Sequence, residues 1–202
     1  MSQIALPLQI EGSSGAASIV IGNANRAAVE ALSDPSAWPF HTAVLAGPPR
    51  SGKSMLGNWI AAQGVAVVDG ADALAEDDIF HRWNGAQEQG TSLLLITDAQ
   101  PWEISLPDLR SRLGAAMQLE IGVPDDEMAA GLIESLALQR GLSLADGAAD
   151  YLVPRAERSF AALEQLVGAI DRLSLERKVP ATMSVWRDAL DQTIGPEQAR
   201  LL

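Results

Sequence analysis

Short, unbroken apolar runs alternate in this chain with longer stretches in which apolar side chains return every three or four residues. The runs are Thr42-Ala43-Val44-Leu45-Ala46, Val65-Ala66-Val67-Val68, Leu93-Leu94-Leu95-Ile96 and the segment Met117-Gln118-Leu119-Glu120-Ile121. Their length and continuity predict strands of a buried parallel sheet. Between them, helical spacing is carried by Ala28, Val29 and Leu32, by Met55, Leu56, Trp59 and Ile60, and by Ile79, Phe80, Trp83 and Ala86. A short helix is expected over residues 106–113. Strands alternating with helices predict an α/β fold.

After Pro124 the pattern becomes helical throughout. Met128, Leu132, Ile133 and Leu136 form one stripe, closed by Gly141. Ser143 with Asp146 reads as a capping box for a second helix ending near Pro154, and Ser159 as the cap of a third, with Phe160, Leu163, Leu166, Val167 and Ile170 on its core face. A last helix follows Thr182. The expected division is therefore an amino-terminal peptide and linker over 1–15, an α/β core over 16–124 and a helical lid over 125–202. The linker is Gly12-Ser13-Ser14-Gly15, and asparagines at 23 and 25 are available to cap the helix through Leu32.

The chemistry concentrates at the end of the first strand, where Gly47-Pro48-Pro49-Arg50-Ser51-Gly52-Lys53-Ser54 fits G-x-x-x-x-G-K-[ST]. Such a loop turns backbone N–H groups inward around phosphate oxygens and adds the positive end of the next helix. Lys53 is expected to reach the β- and γ-phosphates of a nucleotide and Ser54 a Mg²⁺ ion. Asp69, ending the Val65–Val68 run, is the candidate carboxylate near that ion, since open α/β sheets bind ligands at the carboxyl ends of their strands. Thr97 and Asp98 end the next strand on the same edge.

Composition narrows the partners. The chain has 202 residues, 14 basic against 26 acidic, and two lysines, Lys53 and Lys178. A net charge of -12 argues against bulk electrostatic binding of nucleic acid. The absence of cysteine excludes disulfides and thiolate metal sites. No apolar run approaches a membrane span and no secretion signal opens the chain, so a cytoplasmic protein is expected.

In these features the chain resembles the AAA+ ATPases of the DnaA type, in their short Hda-type branch. Ile19-Val20-Ile21-Gly22-Asn23-Ala24-Asn25-Arg26 is similar to the segment that lines the adenine pocket there, which implies nucleotide contacts for Ile21, Gly22 and Asn25. Gly47 to Ser54 matches the Walker A motif, which implies nucleotide contacts for Pro48, Pro49, Arg50, Ser51, Gly52, Lys53, Ser54 and Met55, Val65 to Asp69 matches the Walker B strand, and Thr97-Asp98 lies at sensor 1. Leu109-Arg110-Ser111-Arg112-Leu113 matches the S-R-[FL] box. That makes Arg112 the candidate arginine finger, acting in trans at a neighbour's γ-phosphate. Gln3-Ile4-Ala5-Leu6-Pro7-Leu8 resembles the peptide by which bacterial replication proteins dock on the sliding clamp; Gln3, Ile4, Leu6, Pro7 and Leu8 carry the match. The resemblance implies ADP or ATP with Mg²⁺ as ligands, and DnaA and the clamp as partners. A homodimer or larger homo-oligomer stays open.

The chain departs from that pattern in three places. Only a short segment separates Lys53 from Asp69, so a strand-and-helix unit is expected to be missing. Gly70 follows Asp69 where a second carboxylate orients the attacking water, and Asp72 is out of register. Ala161 occupies the sensor 2 position, leaving Arg158, one turn away, as the substitute. Each loss weakens hydrolysis more than nucleotide grip. The expected function is a nucleotide-bound regulator of replication initiation that docks on the clamp and stimulates ATP hydrolysis by DnaA, with weak intrinsic ATPase. The alternatives are a helicase-loader-like adaptor and a self-sufficient small P-loop ATPase or kinase.

Overall fold

The computed structural model describes residues 19–194. The proposed clamp-docking residues Gln3, Ile4, Leu6, Pro7 and Leu8 lie outside them. The described chain divides into two units, one of residues 25–122 and one joining residues 19–24 to 123–194. The division thus falls after Ala24 instead of near residue 16.

The first unit is built on four parallel strands: β1 (Thr42–Ala46), β2 (Ala66–Val68), β3 (Leu93–Thr97) and β4 (Met117–Glu120), in the order β2-β3-β1-β4. Helices α1 (Arg26–Leu32), α2 (Lys53–Ala61), α3 (Glu76–Gln89) and α4 (Pro107–Gly114) lead into these strands in turn. β1 and β3 are the central strands, and β3 is buried along its whole length. β2 differs from the buried strand its apolar run predicts. It lies on the sheet's edge with Ala66 exposed, because a continuous apolar run does not say whether a strand has one neighbour or two. α2 runs into β2 across residues 62–65, so no strand-and-helix unit intervenes. On α2, Leu56 and Ile60 are fully buried, whereas Trp59, expected in the core, is half-buried.

The second unit carries α5 (Asp126–Gln139), α6 (Ala148–Leu152), α7 (Phe160–Arg177) and α8 (Met183–Ile194) around a core that includes Ile133, Leu163, Val167, Ile170 and Trp186. Ser159 caps α7, its Oγ accepting from the Ala162 amide at 3.1 Å. The Ser143/Asp146 box does not form. α6 starts from Gly147 at φ +79°, and Leu144 pairs instead with Ala181 in an isolated bridge.

Residues 19–24 are fastened to this helical unit by two features. Asn23 donates from Nδ2 to the Val123 carbonyl at 3.1 Å and accepts at Oδ1 from the Asp125 amide at 3.0 Å. Gly22 packs so closely on α5 that a Cβ there would lie 2.8 Å from Met128 Cβ. Asn23 therefore ties chain segments a hundred residues apart, and the side chain of Asn25, though N-terminal to α1, makes no cap bond.

Candidate functional site: the phosphate loop and the arginine helix

The loop after β1 takes its shape from backbone positions few residues tolerate. Arg50 and Gly52 both have positive φ, +65° and +89°, and Gly47 sits so close to β4's extension that a Cβ there would meet Ile121 Cβ at 2.9 Å. α2 begins directly at Lys53, with no side chain capping its N-terminus. Its first amide dipoles are directed toward the loop, and its N-cap, Gly52, has no side chain to cap them.

Lys53 is buried to 6% exposure, and its ammonium meets three acceptors: the Gly47 carbonyl at 2.7 Å, the Pro48 carbonyl at 2.8 Å and Asp98 Oδ1 at 2.8 Å. An ammonium has three N–H donors, so this set satisfies it. The contact brings together two residues that the sequence placed on one sheet edge. Ser51 behaves in the opposite way. Its Oγ is buried and has no hydrogen-bond partner. A buried hydroxyl without a partner beside an uncapped helix start fits a loop built to receive acceptor oxygens from outside the chain. These residues fit a nucleotide phosphate: Lys53 and the start of α2 would hold it and Ser51 would gain a partner.

The other predicted residues distribute as follows. Thr97, buried, accepts from the Ala99 amide at 2.9 Å through Oγ1 and pairs in register with Ala46, which places it beside the end of the loop strand. Asp69 and Ser54 are exposed, as are Pro49 and Arg50; Pro48 and Met55 are half-buried. No group of three or more His, Cys, Asp or Glu able to hold a metal occurs among the described residues. Gly70 takes φ +66° and turns the chain so that Asp72 Oδ1 approaches the Asp98 amide at 3.4 Å. Asp72, out of register in the sequence, thus reaches the end of β3 through this turn. In the lid, Arg158 pairs with Asp126 at 2.7 Å, both exposed, an ion pair of small energetic weight.

Arg112, the second candidate centre, is not a freely solvated charge. Its guanidinium lies 4.6 Å from the ring centre of Phe80 and 4.3 Å from that of Trp83, and Nη1 donates to Asn84 Oδ1 at 2.6 Å. Phe80, Trp83 and Asn84 recur at helical spacing on α3 and form a half-buried cradle for a cation. The sequence marks Phe80 and Trp83 as core residues only, and Asn84 carries no signal, because nothing local announces a partner 28 residues away. Glu76, first residue of α3, accepts from the Ser105 amide at 2.7 Å and the Leu106 amide at 2.6 Å. These two backbone bonds, with the Arg110 charge adding to them, hold its carboxyl below the usual carboxylate range.

Residues 125–190 match the family model "Hda, lid domain". An uncharacterized protein of Haemophilus influenzae is 34% identical over 116 residues, 56% of this chain and 50% of that one. The chromosomal replication initiator protein DnaA of Magnetococcus marinus is 28% identical over 130 residues, 61% of this chain and 28% of the initiator. The chain thus spans half or less of the length of these relatives. Among solved structures, domain III of Thermotoga maritima DnaA superposes with a TM-score of 0.74 at 14% identity, covering 88% of this chain and 95% of that one. A DnaA bound to AMPPCP and single-stranded DNA gives a TM-score of 0.58 at 17% identity, covering 78% and 65%. Residues 125–190 thus match the Hda lid, and the chain has the fold of DnaA domain III, a AAA+ arrangement of parallel sheet and helical lid.

Proposed function

We propose that this protein is a nucleotide-binding regulator of replication initiation, tethered to the sliding clamp through residues 3–8, that stimulates ATP hydrolysis by DnaA. The observation that carries the reading is the contrast between a complete phosphate loop and an incomplete hydrolytic set. The unpartnered Ser51 hydroxyl beside Lys53 suits a phosphate, while Gly70 and Ala161 stand where an acid and an arginine are expected. Such a chain grips ADP or ATP with Mg²⁺ through Ser54 and Asp69 and turns it over slowly. Ile21, Gly22, Asn25 and Arg158 are the further nucleotide contacts in this reading, with Thr97 and Asp98 sensing the phosphate.

Arg112 is then an arginine offered to another protein's ATP, where it neutralises charge developing on the transferred phosphoryl group. Isolated protein with Mg-ATP tests the slow turnover: bound nucleotide with little hydrolysis is expected, and steady hydrolysis abolished by Lys53→Ala would favour a self-sufficient ATPase. Asp72 beside the Asp98 amide is the observation that favours that second reading. Clamp docking is tested by pull-down, where replacing Leu6 and Leu8 with alanine is expected to abolish capture.

A further inference from the structure

We propose that Glu76 is a positioning residue for Arg112: by accepting from the Ser105 and Leu106 amides it fixes the start of α4, and with it the place of the arginine that α4 carries. The inference rests on the finger reading of Arg112 given above.

α4 has only eight residues, too few to hold itself in water. Its own sequence provides no N-terminal closure, since the N-cap is the apolar Leu106 and Pro107 has no N–H to be capped. Glu76 provides it from another helix. One carboxylate oxygen takes each amide, at 2.7 and 2.6 Å, so the pair fixes direction as well as distance, and the negative charge stands at the positive end of α4.

The same helix, α3, holds the guanidinium four and seven residues further on, through Phe80 and Trp83, and with Asn84 beyond them. α3 therefore grips α4 at its backbone start and at the tip of Arg112. Apolar packing alone does not fix the approach. An open pocket of about 540 Å³ is lined in part by Trp102 and Ile104 of the loop leading into α4 and by Arg110 of α4. Trp102, Ile104 and Leu106 pack the loop against the core, and the carboxylate supplies the directional restraint. The same two backbone bonds lower the pKa of Glu76, so the restraint holds further into acid than an ordinary carboxylate would.

The test uses the full chain and ATP-loaded DnaA, comparing Glu76→Gln, Arg112→Ala and the double variant in maximal stimulated hydrolysis and in half-saturating concentration. Glu76→Gln replaces one acceptor oxygen with a donor facing an N–H. The expected result is a maximal rate lower by roughly 10-fold to 100-fold, the range of a misplaced catalytic group. Half-saturation should stay within about twofold, and Glu76→Gln should add nothing in the Arg112→Ala background. Amide exchange at Ser105 and Leu106 supplies a readout that does not depend on DnaA; it should quicken at least about tenfold in Glu76→Gln, a factor that free solvent access to a broken bond exceeds. Loss of stimulation in Arg112→Ala with full activity in Glu76→Gln overturns the positioning role alone. Full activity in both overturns the finger reading beneath it. Unchanged exchange at the two amides overturns the contact itself, and an equal loss from Glu76→Gln with and without Arg112, accompanied by a lower unfolding temperature, overturns it as a folding defect.

Discussion

Replacing Ser51 by alanine should move two quantities in opposite directions. In the ligand-free protein Ser51 Oγ is buried and has no hydrogen-bond partner, although the residue is only 5% exposed. A buried hydroxyl without a partner costs about 1–3 kcal/mol, and alanine removes the hydroxyl with little loss of volume. Ser51→Ala should therefore stabilise the ligand-free chain by roughly 1 kcal/mol, the low end of that range, because the loop can relax. In a domain of this size that raises the unfolding temperature by about 2–4 °C. With nucleotide bound, the hydroxyl of the parent protein gains a partner and the alanine does not. A bond to a charged acceptor contributes about 1.5–3 kcal/mol, so the dissociation constant for Mg-ADP should rise on the order of 10-fold to 100-fold. Thermal unfolding with and without Mg-ADP, together with titration calorimetry, reads both signs. Destabilisation of the ligand-free variant would show that the hydroxyl is already bonded. Unchanged affinity would show that it is not aimed at the ligand, and either result refutes the reasoning.

Three further outcomes are expected. Gly22→Ala should cost about 1–3 kcal/mol, since its Cβ would lie 2.8 Å from Met128 Cβ and the chain must shift; urea unfolding monitored by circular dichroism measures it. Leu163→Ala, which removes a fully buried side chain from the lid core, should cost about 2–5 kcal/mol by the same measurement. Because the folded-state pKa of Glu76 is depressed, its bonds to Ser105 and Leu106 are fully present above the ordinary carboxylate pKa and are lost as pH falls through the lowered one. Amide exchange at those two residues should accordingly lose protection only in that acid window, and retention of protection below it would contradict the assignment.

Much of the fold was legible because each element has a local cause. The four apolar runs, the glycines that end α3 and α5 at positive φ and the Ser159 cap all act within a few residues of themselves. The phosphate loop was legible for the same reason, its residue types being demanded by the turn they make. Burial of β2 was not, since its place at the sheet edge depends on which strands pair, and neither was the grouping of residues 19–24 with the lid, which rests on Asn23 reaching Val123 and Asp125. The Ser143/Asp146 box failed because Gly147 offers a left-handed start closer to the helix. The cradle of Arg112 and the Glu76 contact join residues 28 to 32 positions apart and leave no mark in local pattern.

The central claim is that this chain acts on another protein's ATP through Arg112. The most direct measurement is single-turnover hydrolysis of ATP held by DnaA, with clamp-loaded DNA present and the parent chain or Arg112→Ala added. Acceleration by the parent is expected and, with the arginine removed, a loss on the order of 10³-fold or more, down to the unstimulated rate. Acceleration by Arg112→Ala equal to that of the parent would contradict it.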